Sequence, residues 1–125
     1  MNVRQTLITG AVLGLLGVAL GAFGAHALKP TLEANGRMDT FELAVRYQFF
    51  HALALLFLGL WMSSNTSVLN SWAGLLWTGG VALFSGSLYL YALTNTKGFA
   101  MVTPIGGLLL LAGWAVLLWG LVKGR

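Results

Sequence analysis

Neither the stretch from Trp72 to Leu93 nor the one from Phe99 to Val122 contains a single Asp, Glu, Lys, Arg or His. An α-helix rises about 1.5 Å per residue, so about 20 apolar residues cross a hydrocarbon layer about 30 Å thick. Both stretches are long enough to cross. Inside a bilayer no water is available to the backbone N–H and C=O groups, and a helix satisfies them within the segment itself. Two further candidates precede these. The first span runs from about Thr6 to Leu28. The second, from about Phe41 to Met62, has an unbroken apolar part that starts only at Phe49, contains His51 and is too short to cross alone, so it recruits Glu42, Arg46, Tyr47 and Gln48. Polar breaks at Lys29–Thr40, Ser63–Ser71 and Thr94–Gly98 read as loops, which leaves one domain over 1–125. The expected fold is all-α, an integral membrane four-helix bundle with antiparallel up-down topology.

Composition agrees with that class. The chain is 58% hydrophobic and 8% charged, whereas soluble domains carry about 25% charged residues. Its net charge of +4 comes from basic residues scattered over chain ends and loops, a pattern suited to lipid headgroups and not to nucleic acid. The absence of cysteine excludes disulfides, thiolate metal sites and thiol nucleophiles. Arg4, the apolar stretch behind it and Ala25-His26-Ala27 match a signal-peptide pattern, but the stretch from Thr6 to Leu28 exceeds the roughly 7 to 15 residues of a signal core. A first membrane span is the expectation.

Glycine carries the packing argument. Gly10, Gly14, Gly17, Gly21 and Gly24 recur at alternating spacings of four and three, a heptad-like stripe along one face of the first span. Gly79, Ala82 and Gly86 in the third span, and Gly106, Gly113 and Gly120 in the fourth, make similar stripes. Small residues let helix backbones approach closely in lipid, so these stripes are expected to be packing faces.

The polar residues are the chemical candidates. On a regular helix His26 lies roughly 160° from Gly10, nearly opposite the glycine stripe. It is either a ring at the headgroup level, on a helix that Lys29 and Pro30 end, or part of a second packing face. In the second span Glu42 and Arg46 stand four apart, acid first, as suits an ion pair. Tyr47, Gln48 and His51 form a separate polar edge. Unsatisfied polar groups in hydrocarbon cost several kcal/mol, so all of these need partners inside the bundle or at the headgroups. Polar glue between helices accounts for the pattern, as does a functional site.

GAFGAHALK at 21–29, YQFFHALALL at 47–56, FSGSLYLYAL at 84–93, and TPIGG followed by GW within 103–114 together resemble the signature segments of a family of small bacterial inner-membrane proteins. That family is typified by YgdD and YwdK and has eukaryotic relatives among the small TMEM proteins. The resemblance covers nearly the whole chain and implies a four-helix integral membrane protein; it supplies no reaction, because the family is one of unknown function. The chain departs from the family pattern at Phe41, Glu42 and Leu43, where tryptophan and threonine often precede the Tyr-Gln pair. The resemblance thus assigns no special role to Glu42 and Arg46.

Three function classes follow. The leading one is a non-enzymatic structural protein that binds membrane lipid or joins a homo-oligomer or larger membrane complex. The second is an oligomeric transporter or proton-handling protein using His26, His51, Glu42 and Arg46. The third is haem or metal binding through His26 and His51, which is disfavoured if the two rings sit at different depths. No Ser-His-acid, HExxH or Gly-rich phosphate motif points to a hydrolase, and no cofactor is expected. An even number of spans puts both termini on one side. Arg4, Lys123 and Arg125 there balance Lys29, Arg37 and Lys97 opposite; the weight of the first helix favours cytoplasmic termini.

Overall fold

A computed structural model describes residues 1–123, and capping residues mark some of the helix starts. Helix α1, Val3–Ala25, opens with a capping box. Asn2 Oδ1 accepts from the Gln5 N–H at 2.8 Å, and Gln5 Oε1 accepts from the Asn2 N–H at 3.0 Å, satisfying two donors that have no partner in the first turn. A turn at His26–Leu28 leads to the short helix α2, Lys29–Asn35, and to α3, Met38–Met62. Helix α4, Val68–Thr94, is capped by Ser67 and stops at Asn95 in the left-handed region, φ 54°. The single turn α5, Lys97–Ala100, precedes α6, Thr103–Val122, which has Pro104 in its first turn.

The segment read as a polar loop, 29–40, is therefore mostly helical. Pro30 starts α2 instead of merely ending α1, since a proline in a first helical turn forfeits no hydrogen bond. Gly36 closes α2 at φ 67°, a conformation open to glycine at little cost. Leu32 is fully buried with Phe41 and Ala92, and Asn35 Nδ2 donates to the carbonyls of Ala92 and Leu93 at 2.9 and 3.2 Å. Those carbonyls belong to the last turn of α4, which has no helical donors left for them. Arg37 stacks over the Tyr91 ring, 4.3 Å from its centroid, and donates to Asn95 Oδ1. Together these contacts fasten α2 across the end of α4.

Helices α1, α3, α4 and the α5–α6 segment are each long and apolar enough to cross a membrane. They pack as antiparallel neighbours in chain order: α1 on α3, α3 on α4, α4 on α6. Helices α3 and α4 are central, and α1 and α6 flank them with most of their side chains facing outward. The main core lies between α3, α4 and α6, around Leu55, Leu58, Trp77, Val81 and Leu110.

Glycines sit where a neighbouring helix comes close, though the expected stripes in α1 and α4 hold only in part. A Cβ on Gly10 would lie 2.9 Å from the Ala52 carbonyl oxygen, one on Gly17 3.0 Å from the Phe49 ring, and one on Gly24 2.5 Å from the Phe41 ring. These three are seven residues apart, the spacing that keeps one face on α3. Gly14 fronts open space, and Gly21 meets only Val45 at an ordinary 3.6 Å. In α4 the stripe of Gly79, Ala82 and Gly86 is displaced by one position from the face that packs. Gly86 has nothing near it and Gly79 a single loose neighbour, whereas a Cβ on Gly80 would lie 2.6 Å from the Leu110 side chain. Gly106 rests directly on the backbone of Phe84, Gly113 on the Trp77 indole, and Gly120 makes ordinary contact with Leu69.

Candidate polar site at the centre of the span

Halfway along α3, Gln48 and His51 are buried, 3% and 4% exposed. A glutamine in a helix has an amide that its own backbone does not need, and here it reaches both neighbouring helices. Gln48 Nε2 donates to the Leu13 carbonyl of α1 at 2.8 Å, and Gln48 Oε1 accepts from the Tyr89 hydroxyl of α4 at 2.5 Å. One side chain thus ties three helices. One turn away, Ser85 Oγ donates to the Ala44 carbonyl at 2.7 Å, joining α4 to α3. Ser87 and Thr103 share a hydrogen bond between α4 and α6 at 2.5 Å.

His51 completes the set. Its Nδ1 lies 2.9 Å from the Tyr47 carbonyl, and its Nε2 lies 3.0 Å from Trp114 Nε1 on α6. A carbonyl only accepts and an indole N–H only donates, so the two partners determine the tautomer. The proton is on Nδ1, Nε2 accepts, and the ring is neutral with both nitrogens occupied. Trp77 and Trp114 enclose it, with centroids 4.5 Å from each other and 6.0 and 5.9 Å from the imidazole. Trp77 Nε1 is the one buried side-chain polar atom without a hydrogen-bond partner among the described residues, and it lies against Gly113.

The residues singled out from sequence do not form one site. Tyr47, Gln48 and His51 stand together: the Tyr47 ring is stacked 6.4 Å from His51 and packs on Phe84. His26 lies elsewhere. It is the exposed residue that ends α1, near the start of α3. Because α3 begins at Met38, three residues before the expected entry, His51 is about 20 Å along that helix at 1.5 Å per residue. A single metal or haem iron could not reach both rings. Glu42 and Arg46 are exposed near the same end of α3. They border a cleft with Gly21 and Gly24, and among the described residues no ion pair joins them.

Tyr89, Ser85 and Trp114 join the site although the polar pattern of the second span does not point to them. The available signal was a hydroxyl or indole within an apolar run, which needs a partner on another helix because lipid offers none. All three lie in segments that carry the family resemblance.

Comparison with known proteins agrees with this architecture. A family model described as Protein of unknown function (DUF423) matches residues 20–107. The UPF0382 inner membrane protein YgdD of Escherichia coli K12 is 43% identical over 123 residues, 98% of this chain and 93% of that protein. A UPF0382 membrane protein of Staphylococcus haemolyticus is 46% identical over 112 residues, 90% of each chain. No solved structure shows significant similarity. The family model covers well over half of the chain and the relatives align with nearly all of it, so this protein belongs to the DUF423 family of UPF0382 membrane proteins.

Proposed function

We propose that the protein is a non-enzymatic module of the bacterial inner membrane whose outer surface, facing lipid or a larger membrane complex, is its working part. The observation that carries this reading is the double occupation of His51. A general base or proton carrier needs a ring nitrogen within reach of a substrate or water, and here Tyr47 and Trp114 hold both. Gln48 and Ser85 are likewise engaged across helices. Polar groups used in this way add interhelical bonds worth on average about 0.6 kcal/mol each in membranes. The location follows that of the relatives, one of which is named as an inner membrane protein.

The proton-handling alternative has one observation on its side: His51 borders a cleft of about 580 Å³ together with Tyr47 and Pro104. The test is proton flux into liposomes containing the purified protein and a pH-sensitive dye, driven by a potassium diffusion potential. Flux equal to that of protein-free liposomes is expected. A protein-dependent flux abolished by His51→Phe would replace this reading with a proton pathway.

A further inference from the structure

Helices α3 and α6 both lie on α4 but not closely on each other, and the fissure between them is crossed near the middle of the span by the bond from Trp114 to His51. That bridge divides the fissure in two. Toward the chain termini lies a cleft of about 300 Å³, walled by Ala54, Phe57 and Trp61 of α3 and by Trp114, Leu117 and Leu121 of α6. From Trp114 to Leu121 is about 10 Å of helix at 1.5 Å per residue; together with the loop beyond, this approaches the roughly 15 Å depth of one leaflet, half of a 30 Å core.

The outer end of this cleft changes chemistry. Beyond it Trp61, Leu117 and Leu121 close on Asn65, Ser67 and Asn70 in a tight crevice with no room for a water molecule. On the far side of that crevice lies an open depression of about 400 Å³ formed by Ser64, Asn65, Thr66 and Ser67. An apolar trough about 10 Å long thus lies one crevice away from a cluster of hydroxyls and amides beyond the helix ends.

We propose that this half of the fissure is a phospholipid site, with one acyl chain lying between α3 and α6 below the Trp114–His51 bridge and the phosphodiester against Ser64–Ser67. This rests on the non-enzymatic, lipid-facing reading above. Two features favour lipid over a second copy of the chain. Tight helix association in lipid uses small residues, yet apart from Ala54 the walls here are bulky, and Phe57 projects outward at 75% exposure. A spanning helix would also need the whole length of the fissure, and the bridge interrupts it at mid-depth.

Native mass spectrometry of the protein released from phosphatidylglycerol nanodiscs tests the site. Wild type is expected to retain one phospholipid under activation that strips the remainder. Ala54→Trp, which fills the trough, is expected to lose it with its helical circular dichroism intact. Should that variant fail to fold, Phe57→Ala decides, because this exposed side chain can be trimmed without touching the core. It is expected to lower the lipid-bound fraction at unchanged melting temperature, while Leu15→Ala on the exposed face of α1 keeps the lipid. Equal retention in Phe57→Ala and Leu15→Ala, or a protein dimer that Ala54→Trp dissociates, would overturn the proposal. Wild type without retained lipid and without proton flux refutes the site alone; proton flux with the lipid retained refutes the proposed function alone and replaces it with a proton pathway.

Discussion

Replacing Gly106 with alanine should damage the fold far more than the same replacement at Gly86, although both glycines lie within membrane spans. At Gly106 the added Cβ would sit 2.7 Å from Phe84 Cα and 2.9 Å from the Gly80 carbonyl oxygen, whereas carbon atoms in contact prefer about 3.5 to 4.0 Å. The obstacle is backbone, so no rotamer change relieves it and α4 and α6 must move apart. At Gly86 nothing lies within 4 Å of the new methyl group. Alanine is a better helix former than glycine by about 1 kcal/mol, but that gain is common to both variants and cancels in the comparison. What remains is the overpacking cost, about 1 to 3 kcal/mol, and a backbone clash belongs at the upper end. Gly106→Ala should therefore be less stable than Gly86→Ala by about 3 kcal/mol, read from reversible unfolding in mixed micelles as sodium dodecyl sulfate is raised. Equal stability of the two variants would refute the close approach of α4 and α6.

Two further outcomes follow from the same geometry. Gln48→Leu removes the bonds to Leu13 and Tyr89 and should cost about 1.2 kcal/mol in the same assay, at about 0.6 kcal/mol per interhelical bond; stability at or above wild type would show that the amide is not a tie. His26→Ala and His51→Ala should add within about 0.3 to 0.5 kcal/mol in the double variant, as independent sites do, and a clear departure from additivity would place the rings in one network. Separately from that geometry, the charge weight of the first helix favours cytoplasmic termini, so a reporter active only after export should stay inactive when fused to the C-terminus, and an active fusion would invert the orientation.

Much of the architecture is legible in the sequence because it depends on length and composition alone. The spans at 72–93 and 99–122 have no competing solution in water, and helices occupy most of both. Helix ends are less legible. Pro30 is equally consistent with a stop and a start, and only the docking of Leu32 and Asn35 on α4 decides between them. Glycine spacing identifies a stripe but not its neighbour, since a missing side chain says nothing about what fills the space. Hence Gly10, Gly17 and Gly24 lie on α3 while Gly14 does not, and in α4 the packed position is Gly80. The candidate site shows the same limit: Gln48 and His51 are legible as polar groups that need partners, whereas Leu13, Tyr89 and Trp114 depend on the register between helices, which the periodicity of a single helix does not contain.

On the reading proposed above, the intramembrane polar groups serve helix packing, with His51 held between Tyr47 and Trp114. Nitrogen-15 NMR of the ring in lipid bilayers at neutral pH tests it most directly. The predicted spectrum is a neutral imidazole protonated on Nδ1, with a magnetisation-transfer contact from the Trp114 indole proton to an unprotonated Nε2 that Trp114→Phe abolishes. A proton on Nε2, or a ring proton exchanging freely with water, would contradict the account.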